Sequence, residues 1–434
     1  MTLAVNPDTG LDVATDAVAR AIKAGAEEAK ANHAFTEMFE VNFDTNDVTL
    51  VRTTVGDTLA ITVYDGTRKG TSQLTGRAHD AVEAAIDQAL DSARAGEPDP
   101  ANVLPAEAVE PAPSSGHEVP DQDAMVDAVL RHIERTTAEY PDIRTDSSQY
   151  YFTNTWRSYA NSRDRVQQAR QGRYNVQQVV TAKRGQTATS FNFTVQMSNS
   201  PLGELFELPL VRRMFDNTMA SFGVKPIPST FVGDVIFAPE ALSTLVSAVL
   251  EAVSGMSLMR KTTPFLDRLG TAIASPALSL LHRPSELAGA PAFDGEGFVN
   301  RDLDIVKDGV LQNFLVDWYF SHKLDRPMTS GVSNIVVASG DTPVDDIIAG
   351  TERGIVLGYY SGGTPNQNLD FSGVAKNSFY VEDGKIVHPT TETMIAGNFG
   401  SVLESIRAVS RESLDFGPAR YPWVATSGVT ISTK

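Results

Sequence analysis

The sequence predicts an α+β protein, with an N-terminal helix-covered antiparallel sheet domain and a C-terminal β-barrel-like domain carrying a few helices. Three observations predict it. Phe39, Val41 and Phe43, and again Leu59, Ile61 and Val63, alternate with polar residues in the manner of half-buried strands. Alanine-rich segments on either side repeat apolar residues at helical spacing, so helices should cover one face of that sheet. Beyond Asn300, short strand-like runs are joined by tight turns at Lys307-Asp308-Gly309 and Glu382-Asp383-Gly384. The chain divides into 1–96, an N-terminal α+β domain; 97–120, a proline-rich connector; 121–222, a central helix and strand region; and 223–434, the β-rich domain.

In order, a first helix is expected from about 12 to 31, with Val13, Val18 and Ile22 on one side. The meander after it should turn at Asp44-Thr45-Asn46-Asp47, at Gly56-Asp57 and at Asp65-Gly66, with a weaker strand at Val48 and Leu50. A second helix over 78–95 puts Val82, Ile86, Ala89, Leu90 and Ala93 on one face. Six prolines between Gly96 and Pro120 make an extended, semi-rigid connector. A helix starting near Asp121 or Asp123 buries Met125, Val126, Val129, Leu130 and Ile133. Strands follow at 149–155, 174–182 and 187–196, then a helix over 205–222 that Pro209 must start or interrupt.

The stretch 231–255 is the best-defined element of the second half. Val232 to Phe237 reads as a short buried strand, and Pro239 and Glu240 suit the first turn of a helix. Leu242, Leu245, Val246, Val249, Leu250 and Val253 form its apolar stripe, and Gly255 is expected to close it in a left-handed conformation. The opposite face (Ser243, Thr244, Ser247, Ala248, Ala252) is small, neutral and without His, Cys or paired carboxylates. Further on, a helix is expected at 318–324, strands at 354–360, 378–382, 385–388 and 429–433, and an amphipathic helix at 401–409.

Composition narrows the function. No run of roughly eighteen apolar residues offers a membrane span, and the N-terminus lacks the pattern of a signal peptide, so the cytoplasm is the expected compartment. The absence of cysteine excludes disulfides, thiol nucleophiles and any zinc site that needs a thiolate. A net charge of −18 argues against nucleic acid as a partner. The basic run Arg163, Arg165, Arg170 and Arg173, interleaved with Gln167, Gln168 and Gln171, reads as a solvated strand or loop.

Motifs are sparse. No two of the seven histidines lie within a helical turn of one another, and Pro120 forbids a helix after His117-Glu118. Asp294-Gly295-Glu296-Gly297, with Asp302 and Asp304 close behind, could bind calcium or do acid–base work, or could be a glycine-rich turn into a strand. There is no phosphate-binding glycine-lysine signature, and Ser361-Gly362-Gly363 lacks the glycine that a nucleophile elbow requires.

Taken together, several segments resemble the TldD/PmbA family, in particular its TldE/PmbA branch. They are the meander ending in Gly56 to Gly66 with Gly70-Thr71-Ser72, then Tyr159-Ala160-Asn161-Ser162, Phe293 to Gly297, Gly309-Val310-Leu311 and Val316 to Tyr319. The most specific are Phe371-Ser372 through Phe379, Glu382-Asp383-Gly384 and Met394 to Asn398. The resemblance implies a cytoplasmic heterodimer with a TldD-type subunit, a zinc metallopeptidase acting on unfolded peptides. TldD-type chains carry a His-Glu…His motif on the helix equivalent to the one after Pro239; its implied counterparts here are Ser247, Ala248 and Ala252. The implied reading is therefore a non-catalytic partner with no catalytic residue and no cofactor of its own, the zinc residing in the other subunit. Asp294, Glu296, Asn366, Asn368 and Ser372 become candidates for the peptide cleft, and Gly397 is expected to need a backbone geometry or close approach open only to glycine. The alternatives are a stand-alone homo-oligomeric peptide-binding protein without protease activity, and an independent hydrolase built on Asp294 and Glu296.

Overall fold

The computed structural model describes residues 9–106, 109–329, 331–363, 365–391 and 393–433. The first half contains α1 (Gly10–Lys23), β1 (Glu28–Asp44), β2 (Asp47–Asp65), β3 (Arg68–Thr75), α2 (His79–Ala95) and α3 (Gln122–Glu139). It continues with β4 (Ile143–Asn161), β5 (Val166–Arg184), β6 (Thr187–Ala188), β7 (Asn192–Ser198) and α4 (Pro209–Ala220). The strands pair in the order β3-β2-β1-β4-β5-β6, with β7 also on β5. The sheet curls into a half-barrel.

One face of this sheet is apolar and takes all the helices. Ala29, Ala31, Leu59, Ile61 and Val63 pack under α1 and α2, where small alanines let the helix backbones come close. Phe39, Val41, Phe43, Tyr150, Phe152 and Val176 pack under α3. That helix is capped by Asp121, whose side chain accepts a hydrogen bond from the Ala124 amide at 3.0 Å. The expected helix over 12–31 is too long: α1 stops at Lys23, Gly25 turns with φ +109°, and Ala29 and Ala31 are strand residues. Alanine at alternate positions satisfies both patterns, and the β1–β2 ladder decided between them. Gly56-Asp57 is likewise no turn, because Thr36 and Phe35 pair with these two residues and β2 runs unbroken through them. The turns at Thr45-Asn46, both with positive φ, and at Gly66 are as expected.

The second half contains β8 (Phe231–Phe237), α5 (Pro239–Ala252), α6 (Gly255–Arg260), β9 (Leu280–His282), β10 (Leu303–Lys307), β11 (Val310–Leu311) and α7 (Trp318–Leu324). It goes on with β12 (Ile335–Val337), α8 (Val344–Ala349), β13 (Arg353–Leu357), β14 (Tyr359–Gly362), β15 (Asp370–Lys376) and β16 (Phe379–Glu382). The last elements are β17 (Lys385–Pro389), β18 (Thr393–Asn398), α9 (Phe399–Glu404), β19 (Ile406–Asp415) and β20 (Ala419–Ser432). The long path is β11-β10-β9-β12-β20-β8-β13-β16-β17, while β14, β15 and β18 join it through β20. α5 lies in the core of this sheet: Leu242, Leu245, Val246 and Val249 share one buried cluster with Val235, Phe237, Ile355, Leu357 and Val424. The alternate residues Ile236, Val356 and Ala425 point the other way, to Ile347 of α8.

Two expectations fail here. Gly255 does not close α5 in a left-handed conformation. It opens α6, behind Ser254, whose hydroxyl caps the Ser257 amide. Glycine is required there by proximity, since an added Cβ would lie 2.5 Å from the Phe320 ring. The helix expected over 401–409 ends at Glu404, and Ile406 onward pairs with β20 as β19.

The halves meet where the 290–298 loop lies on the polar face of the first sheet. The basic run therefore straddles the turn before β5 and the strand itself: Arg163 is exposed in the turn, as expected, but the other three are engaged. Arg165 is buried with its guanidinium 3.7 Å from the Phe298 ring centre, Arg173 donates to the Ala290 carbonyl, and Arg170 donates to the Gly116 and His117 carbonyls. The connector is tied as well: Trp318 Nε1 donates to Val103 O at 2.7 Å, and Lys323 pairs with Asp99 at 2.9 Å. No helix of the described residues is long and apolar enough to cross a membrane.

Candidate functional site

Because the apolar stripe of α5 is committed to the core, its opposite face is left to line a cavity of about 680 Å³. Ser243, Ser247, Ala248, Glu251 and Ala252 form one wall; Arg260 and Thr262, Tyr359 and Tyr360, Gly362 and Gly363, and Pro365, Asn366, Gln367 and Leu369 stand among the others. Ser247 is exposed toward this space, whereas Ala248 and Ala252 are buried. Ser257 donates from its hydroxyl to Glu251 Oε1 at 3.3 Å, and Tyr360 donates to the Ser372 carbonyl at 2.9 Å.

The loop across the cavity is self-braced. Asn366 Oδ1 accepts from the Asn368 and Asp370 amides, each at 2.9 Å, and Asn398 Nδ2 donates to Asp370 Oδ1 at 2.8 Å. Those side-chain bonds, from Asn398 first and Asn366 second, hold the Asp370 carboxyl below the usual carboxylate range. Asn366 thus lines the cavity while its side chain holds the loop, and Asn368 offers its carbonyl to Asn398. Ser372 sits on β15 opposite Ala396. Gly397 has no positive φ, so the expected special backbone is absent; the close approach is present, with Phe371 ring atoms 3.2 and 3.3 Å from an added Cβ.

A zinc ion does not fit this wall. Ser247, Ala248 and Ala252 offer one neutral hydroxyl and two methyl groups, where zinc needs imidazole, thiolate or carboxylate donors. Among the described residues, no three His, Cys, Asp or Glu side chains converge as a metal site.

Asp294 and Glu296 lie elsewhere, between the two halves. Asp294 Oδ1 accepts from the Glu296 and Phe298 amides, each at 2.9 Å, and Phe293 bridges to Val299, which makes a tight turn. Gly297, at φ +76°, presses this turn against the Tyr159 ring. Glu296 is ion-paired with Lys30 of β1, and Asn32 donates to the Gly295 carbonyl. Burial pushes both carboxyls upward; Lys30 opposes it at Glu296 and backbone amides oppose it at Asp294 without cancelling it. A second cavity of about 420 Å³ opens beside them, walled by Asp294, Gly295, Gln73 and Arg157. Sequence reasoning missed Glu251, Arg260 and Tyr360 in the first cavity and Arg157 in the second. None stands in a motif, and only folding brings them to a wall.

Residues 230–433 match the model of the PmbA/TldA metallopeptidase C-terminal domain. The chain is 28% identical over 399 residues to the metalloprotease PmbA of Escherichia coli O157:H7, covering 85% of each. It is 22% identical over 298 residues to a zinc metalloprotease TldD homolog of Saccharolobus solfataricus, covering 64% of this chain and 66% of that one. Its fold is that of TldE from Thermococcus kodakarensis, with a TM-score of 0.81 at 22% identity over 96% of this chain and 99% of that one. With the α5 cavity in the matched domain and the likeness running through both halves, the chain belongs to the PmbA/TldD family.

Proposed function

We infer that this chain is the non-catalytic, TldE/PmbA-like subunit of a cytoplasmic heterodimeric zinc metallopeptidase, and that it shapes the cleft through which unfolded peptides reach a zinc-bearing TldD-type partner. One observation carries the reading: the α5 face that lines the 680 Å³ cavity offers no metal ligand and no general base at Ser247, Ala248 or Ala252. Strand β14 supports it, since it lines the same cavity and among the described residues pairs with β15 alone, leaving an edge to which an extended chain can add by main-chain hydrogen bonds.

The test is cleavage of an unfolded peptide by this chain alone, by a zinc-bearing family member alone, and by the mixture. Activity is expected only where the partner is present and should be abolished by a chelator. Elemental analysis of the dialysed chain should find no stoichiometric zinc. Chelator-resistant cleavage by this chain alone would refute the reading and direct attention to Asp294 and Glu296. Ser247→Trp, which fills the cavity from an exposed position, should weaken peptide cleavage by the mixture without unfolding the chain.

A further inference from the structure

The polar face of the first sheet carries a charge that the domain contact does not use. Strand residues two apart share a face. On that face Arg157 of β4 stands opposite Ala169, and Arg173 of β5 stands opposite Thr153, with Thr155 and Gln171 between them. Over the same stretch of β1, β2, β4 and β5, from Lys30 to Met38 and from Thr153 to Asn161 with their partners, the face holds no carboxylate. The acidic residues nearby are engaged: Glu40 with Arg52, and Glu296 with Lys30.

Among the described residues, neither arginine has a counter-ion. The Arg157 guanidinium lines the 420 Å³ cavity and makes no hydrogen bond or ion pair among the described residues. Arg173 donates Nη2 to the Ala290 carbonyl, while its Nε is buried and unpartnered. Loss of solvent lowers the pKa of both, and the positive charge of Arg157 adds to burial in bringing Arg173 down to about 10. Arg157 is exposed at the cavity while Arg173 is half-buried with a donor left over, so two like charges share a face that is complementary to a bound anion.

We propose that Arg157 and Arg173 form a binding site for an oxyanion, a carboxylate or phosphate group, on the polar face of the first sheet beside the Asp294 turn. Guanidinium forks suit both groups, and the one carboxylate among the residues lining this cavity, Asp294, has Oδ1 committed to the Glu296 and Phe298 amides. Two sources have this chemistry. One is the C-terminal carboxylate of a peptide, which rests on the peptide reading above; the other is free phosphate.

Titration calorimetry with three probes decides it: a short unstructured peptide of neutral side chains with a free C-terminal carboxylate, the same peptide amidated, and inorganic phosphate. The free acid or phosphate should bind the wild-type chain, more weakly as salt rises, and Arg157→Gln should weaken that binding at least about tenfold. Preference for the acid over the amide assigns the site to a peptide terminus; phosphate binding with no such preference assigns it to a free anion. Absence of binding by both anions, or binding unchanged in Arg157→Gln, overturns the proposal. Arg157→Gln removes no bond within the chain and should melt with the wild type, so it decides even if Arg173→Gln, which loses the Ala290 contact, fails to fold. Unimpaired cleavage of the amidated peptide by the mixture, with no anion binding, would reject this site and leave the peptidase reading standing.

Discussion

The α5 cavity and the Asp294–Glu296 turn look, by residue type, like the wrong way round. The turn carries two carboxylates whose pKa values are raised, a familiar sign of catalysis. The cavity wall carries Ser247, Ala248 and Ala252, which have almost no chemistry. Yet the larger space lies at the quiet wall, and the carboxylates are occupied: Asp294 closes its own turn, and Glu296 reaches across to Lys30. Raised carboxylate pKa values therefore follow here from a contact between two halves of a chain. A bare helix face can be the more informative surface.

The sharpest way to break this comparison is to unpair the turn. Lys30→Ala leaves Glu296 without its counter-charge and should cost about 2–3 kcal/mol in urea unfolding, somewhat less than a fully buried pair because both side chains keep some solvent. No loss of stability would show that the turn is not a structural contact. Next in size is Gly397→Val, near the cavity rather than the domain contact. The Phe371 ring, stacked on Phe399 at 4.2 Å, must move, at a cost of about 1–2 kcal/mol by thermal unfolding.

A smaller effect depends on pH. Glu296 has a folded-state pKa above its unfolded value near 4.5, so the folded chain binds its proton more tightly. That contribution is fully present below the unfolded pKa and is lost as pH rises through the folded one. The stability advantage of wild type over Glu296→Gln should thus be larger at about pH 4 than at about pH 7, read from urea midpoints at both. An advantage that grows with pH would mean that the Lys30 attraction outweighs burial. The smallest effect belongs to the quiet wall. Ser247→Ala should shift stability by no more than about 0.5 kcal/mol and leave peptide cleavage by the mixture unchanged. A large loss there would give the hydroxyl a role that its surroundings do not.

Much of the fold was legible because local physics points one way. The 318–324 helix sits where expected, with Asp317 capping the Phe320 amide. Pro239 opens α5, and the hairpin turns at Asp308-Gly309 and Asp383-Gly384 carry positive φ. Local signals failed where a distant partner outvoted them. The alanines at 29 and 31 joined a strand ladder, Gly56 was carried straight through by its pairing with Thr36, and Gly255 answers to the Phe320 ring instead of a helix end.

By itself, the sequence determined that α5 would bury one stripe and carry Ser247, Ala248 and Ala252, none of them a zinc donor, off that stripe, because periodicity and residue chemistry are written locally. Only the tertiary structure decided what each face meets. The cavity needs α5, β14 and the loop braced by Asn366, while Glu296 finds its cation 266 residues earlier in the chain. Arg157 lies near Arg173 without a counter-ion only once two strands are paired in register. Charge pairing and enclosure depend on distance in space, which chain order does not specify until the sheets have formed.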